Sequence, residues 1–206
     1  VDESQKKSNF DFYTPHFDFV YQNLNVKIFQ LKKFKLLDII DDRNDFEKVK
    51  IKSFLNDDFF IAKISKNTID KMPISKKFEI AKEVDIISQL NHPCILKFIG
   101  YSPIDFEYNQ SPVIITEITK FLTLKNVLNL NELNDTHKLI IIFGIAFGMK
   151  YLHSIGIIHR YLSSSAIFVD SEYHPKISDF DFSDNMSENC NENYFIENYF
   201  YSSPEA

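Results

Sequence analysis

Glycine is scarce in this chain, with four in 206 residues, all at or after Gly100. A hairpin that brings bare backbone up to phosphates is therefore excluded from the first hundred residues, because only glycine offers no side chain to obstruct such an approach. Cysteine is nearly absent too. Cys94 and Cys190 lie far apart, and no charged-then-apolar segment opens the chain, so a disulfide framework is excluded and a reducing, cytoplasmic setting is expected. Positive charge is in deficit: the net charge is -6 and the pI about 5.5, which argues against nucleic-acid and membrane-surface partners. The basic run Lys32 to Lys35 is short and reads as a solvated strand edge. Long apolar runs are missing as well, since the longest, Leu139 to Met149, is about half the roughly 20 residues of a membrane span. It is expected to be a buried helix. The six histidines have no partner at metal-ligand spacing, so no structural metal is expected.

What is present suits a globular protein, 44% hydrophobic and long enough for one substantial core or two small lobes. Residues 1–33 form a flank in which Phe10, Phe12, Phe17 and Phe19 show no sustained period; it is read either as an extended segment packed on a neighbour or as disorder. From Phe34 to Ser65, apolar runs broken at 41–45 and 56–58 predict three antiparallel strands. Ser75 is placed as the cap of a helix running to Gln89, with Phe78, Ala81, Ile86 and Leu90 on its apolar face, and Asn91-His92-Pro93 ends it. Ile95 to Tyr101 and Val113 to Ile118 complete a five-stranded sheet. Beyond it, Leu122 to Leu130 predicts a short helix and Asp135 to Ser154 a long one, closed by Gly156.

Polar motifs follow in a fixed order. Asn91-His92-Pro93-Cys94-Ile95-Leu96 precedes Tyr151-Leu152-His153-Ser154, then Ile158-His159-Arg160-Tyr161, then Lys176-Ile177-Ser178-Asp179-Phe180-Asp181, then Ser203-Pro204-Glu205. Over about residues 34 to 206 this resembles the eukaryotic protein kinase domain, most closely the tyrosine-kinase-like group of Ser/Thr kinases. The resemblance implies an α+β, bilobal fold: a small lobe at 34–118 with a five-stranded antiparallel sheet and one helix, and a mainly helical lobe over 119–206 that looks truncated after Pro204-Glu205.

The resemblance also assigns roles. Lys63 in Phe60-Ile61-Ala62-Lys63 matches the phosphate-binding lysine and Glu83 its helical ion-pair partner. Val49, Ile61 and Phe168 match the walls of the adenine slot, Thr116 its back, and Glu117 and Thr119 the hinge. Ile61 and Phe168 are larger than the residues usual there, so an occluded slot is expected. Asp42, Asn44 and Glu47 fall where the family has glycines. His159 and Phe180 match internal packing positions, and Arg160 the anchor of the activation segment.

Departures cluster in the catalytic loop. Tyr161 stands at the catalytic Asp, Ser163 at a lysine and Ala166 at the magnesium-binding Asn, and a phenol with a free pKa of about 10 is a poor proton acceptor at neutral pH. Asp179 could bind magnesium or bond to nearby backbone, and Asp181 replaces a glycine. Asn198 falls at a threonine that contacts the base. Arg160 either pairs with Glu188, Glu192 or Glu197 or faces a mobile segment. Apolar positions around His159 and Leu162 are expected to lose their cover, inviting a partner or a dimer.

The expected function is that of a catalytically impaired pseudokinase, a signalling, scaffolding or allosteric module with a protein partner, binding ATP and Mg weakly or not at all. The alternatives are an ATP-dependent Ser/Thr kinase with an atypical site, and a fragment without a stable fold.

Overall fold

The structure is a computed structural model and describes residues 26, 28–42, 45–119, 121–130 and 133–185. Asn44, Cys190, the Phe-rich residues 1–25, the glutamates at 188, 192, 197 and 205, and Asn198 lie outside the described residues.

Five strands, β1 (Phe34–Asp42), β2 (Phe46–Ser53), β3 (Phe59–Ser65), β4 (Phe98–Ser102) and β5 (Val113–Glu117), form an antiparallel sheet in the order β1-β2-β3-β5-β4. Alternation decides which residue faces where, because successive side chains of a strand point to opposite sides. Val49 lies opposite Ala62, and Ala62 opposite Ile115. These three join Leu31, Phe34, Ile51, Ile64 and Val113 in one apolar core on the outer side of the sheet. Lys48 lies opposite Lys63, and Lys63 opposite Ile114, so these three share the inner side. Ahead of β1, Ile28 bridges to Tyr101 beside β4, and Val26 packs on the inner core.

The helix α1 (Ile74–Gln89) crosses the inner side. It starts one residue before the expected cap: Pro73 precedes it with extended backbone and no side-chain cap, and Ser75 lies within the first turn. Of the expected apolar face, Ala81, Ile86 and Leu90 are buried and only Phe78 is not. Val84, Ile87 and the half-buried Ile80 point inward, and Phe78, on the opposite side at 3.6 residues per turn, is 61% exposed.

Val84, Ile87, Ile114 and Tyr101 continue into Leu152, Ile157, Ile177 and Phe180, one core shared by the sheet layer and the helical layer. The helical layer holds β6 (Phe121–Thr123), α2 (Leu124–Asn129), α3 (Asp135–Ser154), β7 (Ile157–Ile158), β8 (Ile167–Val169), β9 (Pro175–Ile177) and β10 (Asp184–Asn185). A reciprocal Thr123–Asn126 capping box starts α2. Asn134 caps α3 by accepting from the His137 amide at 2.8 Å, and Gly156 leaves it at φ +75°. Gly144 and Gly148 let β9 lie directly on α3; a Cβ at Gly148 would meet Ile177 at 2.8 Å.

Three further expectations are corrected. The run Leu139 to Met149 is helical but not buried throughout: Ile141 and Gly148 face β8 and β9, whereas Leu139, Ile142, Phe143 and Phe147 form an exposed apolar stripe, with Phe147 resting against the His92 ring at 4.6 Å. Conversely, His159 is fully buried and Leu162 packs against the core, so the exposed apolar surface lies on α3 and not around them. Ile95 and Leu96 also leave the expected strand: they pair with Ile177, tying the Asn91-His92-Pro93 junction to β9. No helix among the described residues is long and apolar enough to cross a membrane.

Candidate functional site

A cleft lies between the inner face of the sheet, α1 and the segment after β9. Lys48, Ile61, Lys63, Glu83, Thr116, Phe168, Asp179 and Phe180 are among its walls, and the space left is about 40 Å3. Six of the expected nucleotide-site residues therefore converge there: Ile61, Lys63, Glu83, Thr116, Phe168 and Asp179.

Three others do not. Val49 faces the outer core, because its register with Ala62 turns it away from the cleft; Lys48 takes the inner position instead. Glu117 sits outside the cavity wall, where its carboxylate accepts from the Lys97 amide at 2.9 Å and pairs with Lys176 at 3.1 Å. Thr119 is buried beyond the end of β5 and does not line the cavity. In the hairpin, Asp42 pairs with Lys66 at 2.5 Å and Glu47 lies opposite Ile64 within the sheet.

The charged groups of the cleft are bonded to one another. Lys63 Nζ donates to both carboxylate oxygens of Glu83 at 2.9 Å and also to Asp181. Lys48 Nζ donates to Asp179 Oδ1 at 2.7 Å, with the side chains 10% and 8% exposed. Burial works to lower the Lys63 pKa, but the charges of Asp181 and Glu83 outweigh it and hold the ammonium above its ordinary range. Burial alone would raise Asp181, yet Lys63 holds it well below the usual carboxylate range. Burial, and after it the negative Asp181, pushes Glu83 up to about 8 against the pull of Lys63. Three carboxyls thus face two ammonium groups, and burial together with the Asp181 charge favours the protonated form of Glu83.

Below the cleft, the loop after β7 is fixed by backbone and ring contacts. His159 Nε2 lies 2.8 Å from the Ser178 carbonyl, and its Nδ1 accepts from the Tyr161 amide at 3.2 Å. This pair of bonds selects the tautomer protonated at Nε2. Burial pushes the imidazole below its ordinary value, so it stays neutral, and its ring packs 4.8 Å from that of Phe180. Tyr161 turns its ring to Phe182 at 5.2 Å. Ser163 Oγ bonds Ser165 Oγ at 2.9 Å. Ala166 is fully buried, and its carbonyl accepts from both the amide and the hydroxyl of Ser178. Arg160 and Asp179, neither a glycine, hold φ of 61° and 59°; left-handed backbone costs about 1–2 kcal/mol at such residues and persists where surrounding contacts impose it.

Among the described residues, Arg160 has an acid partner close by in the chain. Its guanidinium reaches Asp184 Oδ2 at 2.9 Å, and Lys82 of α1 pairs with the other oxygen of the same carboxylate. Sequence reasoning missed both Asp184 and Lys48. The alternation Lys48-Val49-Lys50-Ile51-Lys52 held the signal for Lys48, since only one of the two sets can face the outer core.

A family model described as protein tyrosine and serine/threonine kinase matches residues 60–206. Among similar proteins, a probable serine/threonine-protein kinase of Dictyostelium discoideum is 38% identical over 110 residues, 51% of this chain and 10% of that protein. A probable leucine-rich repeat receptor-like protein kinase of Arabidopsis thaliana is 29% identical over 177 residues, 76% of this chain and 15% of the relative. The serine/threonine-protein kinase polo of Drosophila melanogaster is 36% identical over 132 residues, 60% of this chain and 21% of that protein. The chain thus spans about a fifth or less of the length of these relatives. With the sheet order, the Lys63–Glu83 pair and the His159-Arg160 loop in place, the match over residues 60–206 establishes that the chain belongs to the protein tyrosine and serine/threonine kinase family.

Proposed function

We propose that this chain is a catalytically impaired kinase domain of the tyrosine-kinase-like type that works in the cytoplasm as a signalling, scaffolding or allosteric module for a protein partner. The observation that carries this reading is the state of the catalytic loop. Phosphoryl transfer needs a carboxylate to orient the attacking hydroxyl; here a phenol occupies that place and packs on Phe182. General-base help is typically worth about 10² to 10⁴ in rate.

Mg·ATP does not fit the residues of the cleft. Its space of about 40 Å3 falls far below the roughly 300–1,000 Å3 of small-ligand pockets. Asp179 is held by Lys48, and the alanine methyl at position 166 offers no second ligand. The phosphate-type lysine, Lys63, is shared between two carboxyls.

One observation favours the rival reading of an atypical Ser/Thr kinase: the Lys63–Glu83 pair is intact at 2.9 Å. Phosphotransfer to a generic protein substrate, measured for the natural chain and for Tyr161→Asp, separates the two. Neither protein is expected to turn over, because the cleft is filled as well as the base lost. Mg-dependent transfer by the natural chain would overturn the proposal, and its appearance in Tyr161→Asp alone would leave the impairment standing but show that the cleft is open to Mg·ATP.

A further inference from the structure

Lysine is seldom buried, because removing an ammonium from water is costly unless a partner meets it in good geometry. Lys48 is 10% exposed and has such a partner in Asp179. The strand period puts it there: Lys48 shares the inner face of the sheet with Lys63 and Ile114, and from β2 it reaches across the cleft to the segment after β9. The Phe46 and Phe168 rings lie 5.7 and 5.9 Å from its Nζ, adding cation–π attraction and keeping water away.

On the other side of the pair, Asp179 holds a left-handed backbone and directs its carboxylate into the cavity. Lys48 is the one donor to that carboxylate among the described residues, and the second oxygen, Oδ2, is buried with no hydrogen-bond partner. Asp179 is therefore a buried acid whose charge rests on a single side chain. Lys63 cannot replace Lys48, since Glu83 and Asp181 already engage it.

We propose that Lys48 is a tethered counter-cation: its ammonium occupies Asp179 as a built-in substitute for a dissociable metal ion, and closes the cleft from inside. This rests on the reading of the cleft as one that does not take Mg·ATP, and it names the residue responsible. Two segments far apart in sequence, β2 and the one after β9, are joined by this pair whether or not anything is bound. Removing Lys48 leaves an unpaired buried carboxylate with one oxygen already unsatisfied, a site that draws in a small divalent cation.

The test is thermal melting of the natural chain, Lys48→Met, and Lys48→Met combined with Asp179→Asn, each with Mg2+ alone at millimolar concentration and with chelator. The natural chain is expected to ignore Mg2+. Lys48→Met is expected to melt lower and to recover several degrees with Mg2+, since a ligand of the folded state alone stabilises it. The double variant should melt above Lys48→Met and ignore Mg2+, because no unpaired charge remains. Should Lys48→Met fail to fold, the double variant decides: a folded double variant supports the tether, and an unfolded one overturns it. An equal Mg2+ response in the natural chain and Lys48→Met, or a Lys48→Met protein as stable as the natural chain and silent to Mg2+, would also overturn it. No nucleotide or turnover enters these melts, so phosphotransfer by a natural chain whose melt ignores Mg2+ would sink the functional reading and leave the tether standing.

Discussion

Glu83 donates nothing to chemistry in the cluster described above, yet it controls how the fold responds to pH. Its carboxyl is raised from an ordinary 4.5 to about 8, so between those values the folded chain holds a proton that the unfolded chain has released. Stability contributed by this group is full below the lower value and is lost as pH rises through the upper one. Asp181 has the opposite sign: its lowered pKa adds stability above the ordinary 3.8 that disappears as the solution is acidified past it. Melting temperature is accordingly expected to fall across the window from about 4.5 to about 8, and Glu83→Gln to flatten that slope. Melts at constant ionic strength check this; an unchanged slope in Glu83→Gln would refute the assignment. At this scale the sequence was partly legible. Lys63 and Glu83 could be placed because motif spacing fixes a strand lysine and a helix glutamate on facing elements. Val49 was misplaced because it was located by hairpin alignment, whereas its orientation is set by the two-residue period of β2, and one step along a strand exchanges the faces. Asp181 was seen as an added carboxylate, but its partner depends on how the chain turns after β9, which no local pattern encodes.

Elements are joined by Asp184, which brings together Lys82 on α1, Arg160 in the loop after β7, and β10. Burial would raise its carboxyl, but the hydrogen bond and charge of Lys82, with Arg160 behind them, hold it below the ordinary value. The beginning of the activation-type segment is thus fastened by an acid of the chain itself. Asp184→Asn should cost about 1.5–3 kcal/mol, the range for hydrogen bonds to charged groups. It should also speed amide hydrogen exchange in α1 and at 157–158 together; faster exchange confined to 183–185 would show that the carboxylate couples nothing. Most elements could be read in advance. The end of α3 followed from Gly156, a left-handed stop. The start of α1 did not, since Pro73 begins that helix without a side-chain cap and Ser75 offered a false one. Its apolar face was misjudged through Phe78, a large residue on the solvent side.

Over the whole molecule, the order of strands and helices was legible because motifs fell in sequence along one chain. The distribution of apolar surface was not. An eleven-residue apolar run says that a helix forms, but only the packing of β8 and β9 on one side of α3 decides which half is covered. Phe143, 71% exposed, makes no core contact, so Phe143→Ser should change stability by no more than about 0.5 kcal/mol. A chemical-denaturation midpoint well below that of the natural chain would mean that the stripe is covered in solution.

The Lys48–Asp179 pair also has a historical consequence. On the reading proposed above, a descendant of this chain acquiring a metal-nucleotide site would have to lose Lys48 and free Lys63 from Asp181, and the first substitution alone strands a buried charge. The loss of Lys48 by itself thus passes through a less stable protein. Changes in the catalytic loop, at positions such as Tyr161 or Ala166, strand no buried ion-pair partner of this kind. On that reading the ion pair works as a ratchet, making the loss of Lys48 costly unless Asp179 changes with it.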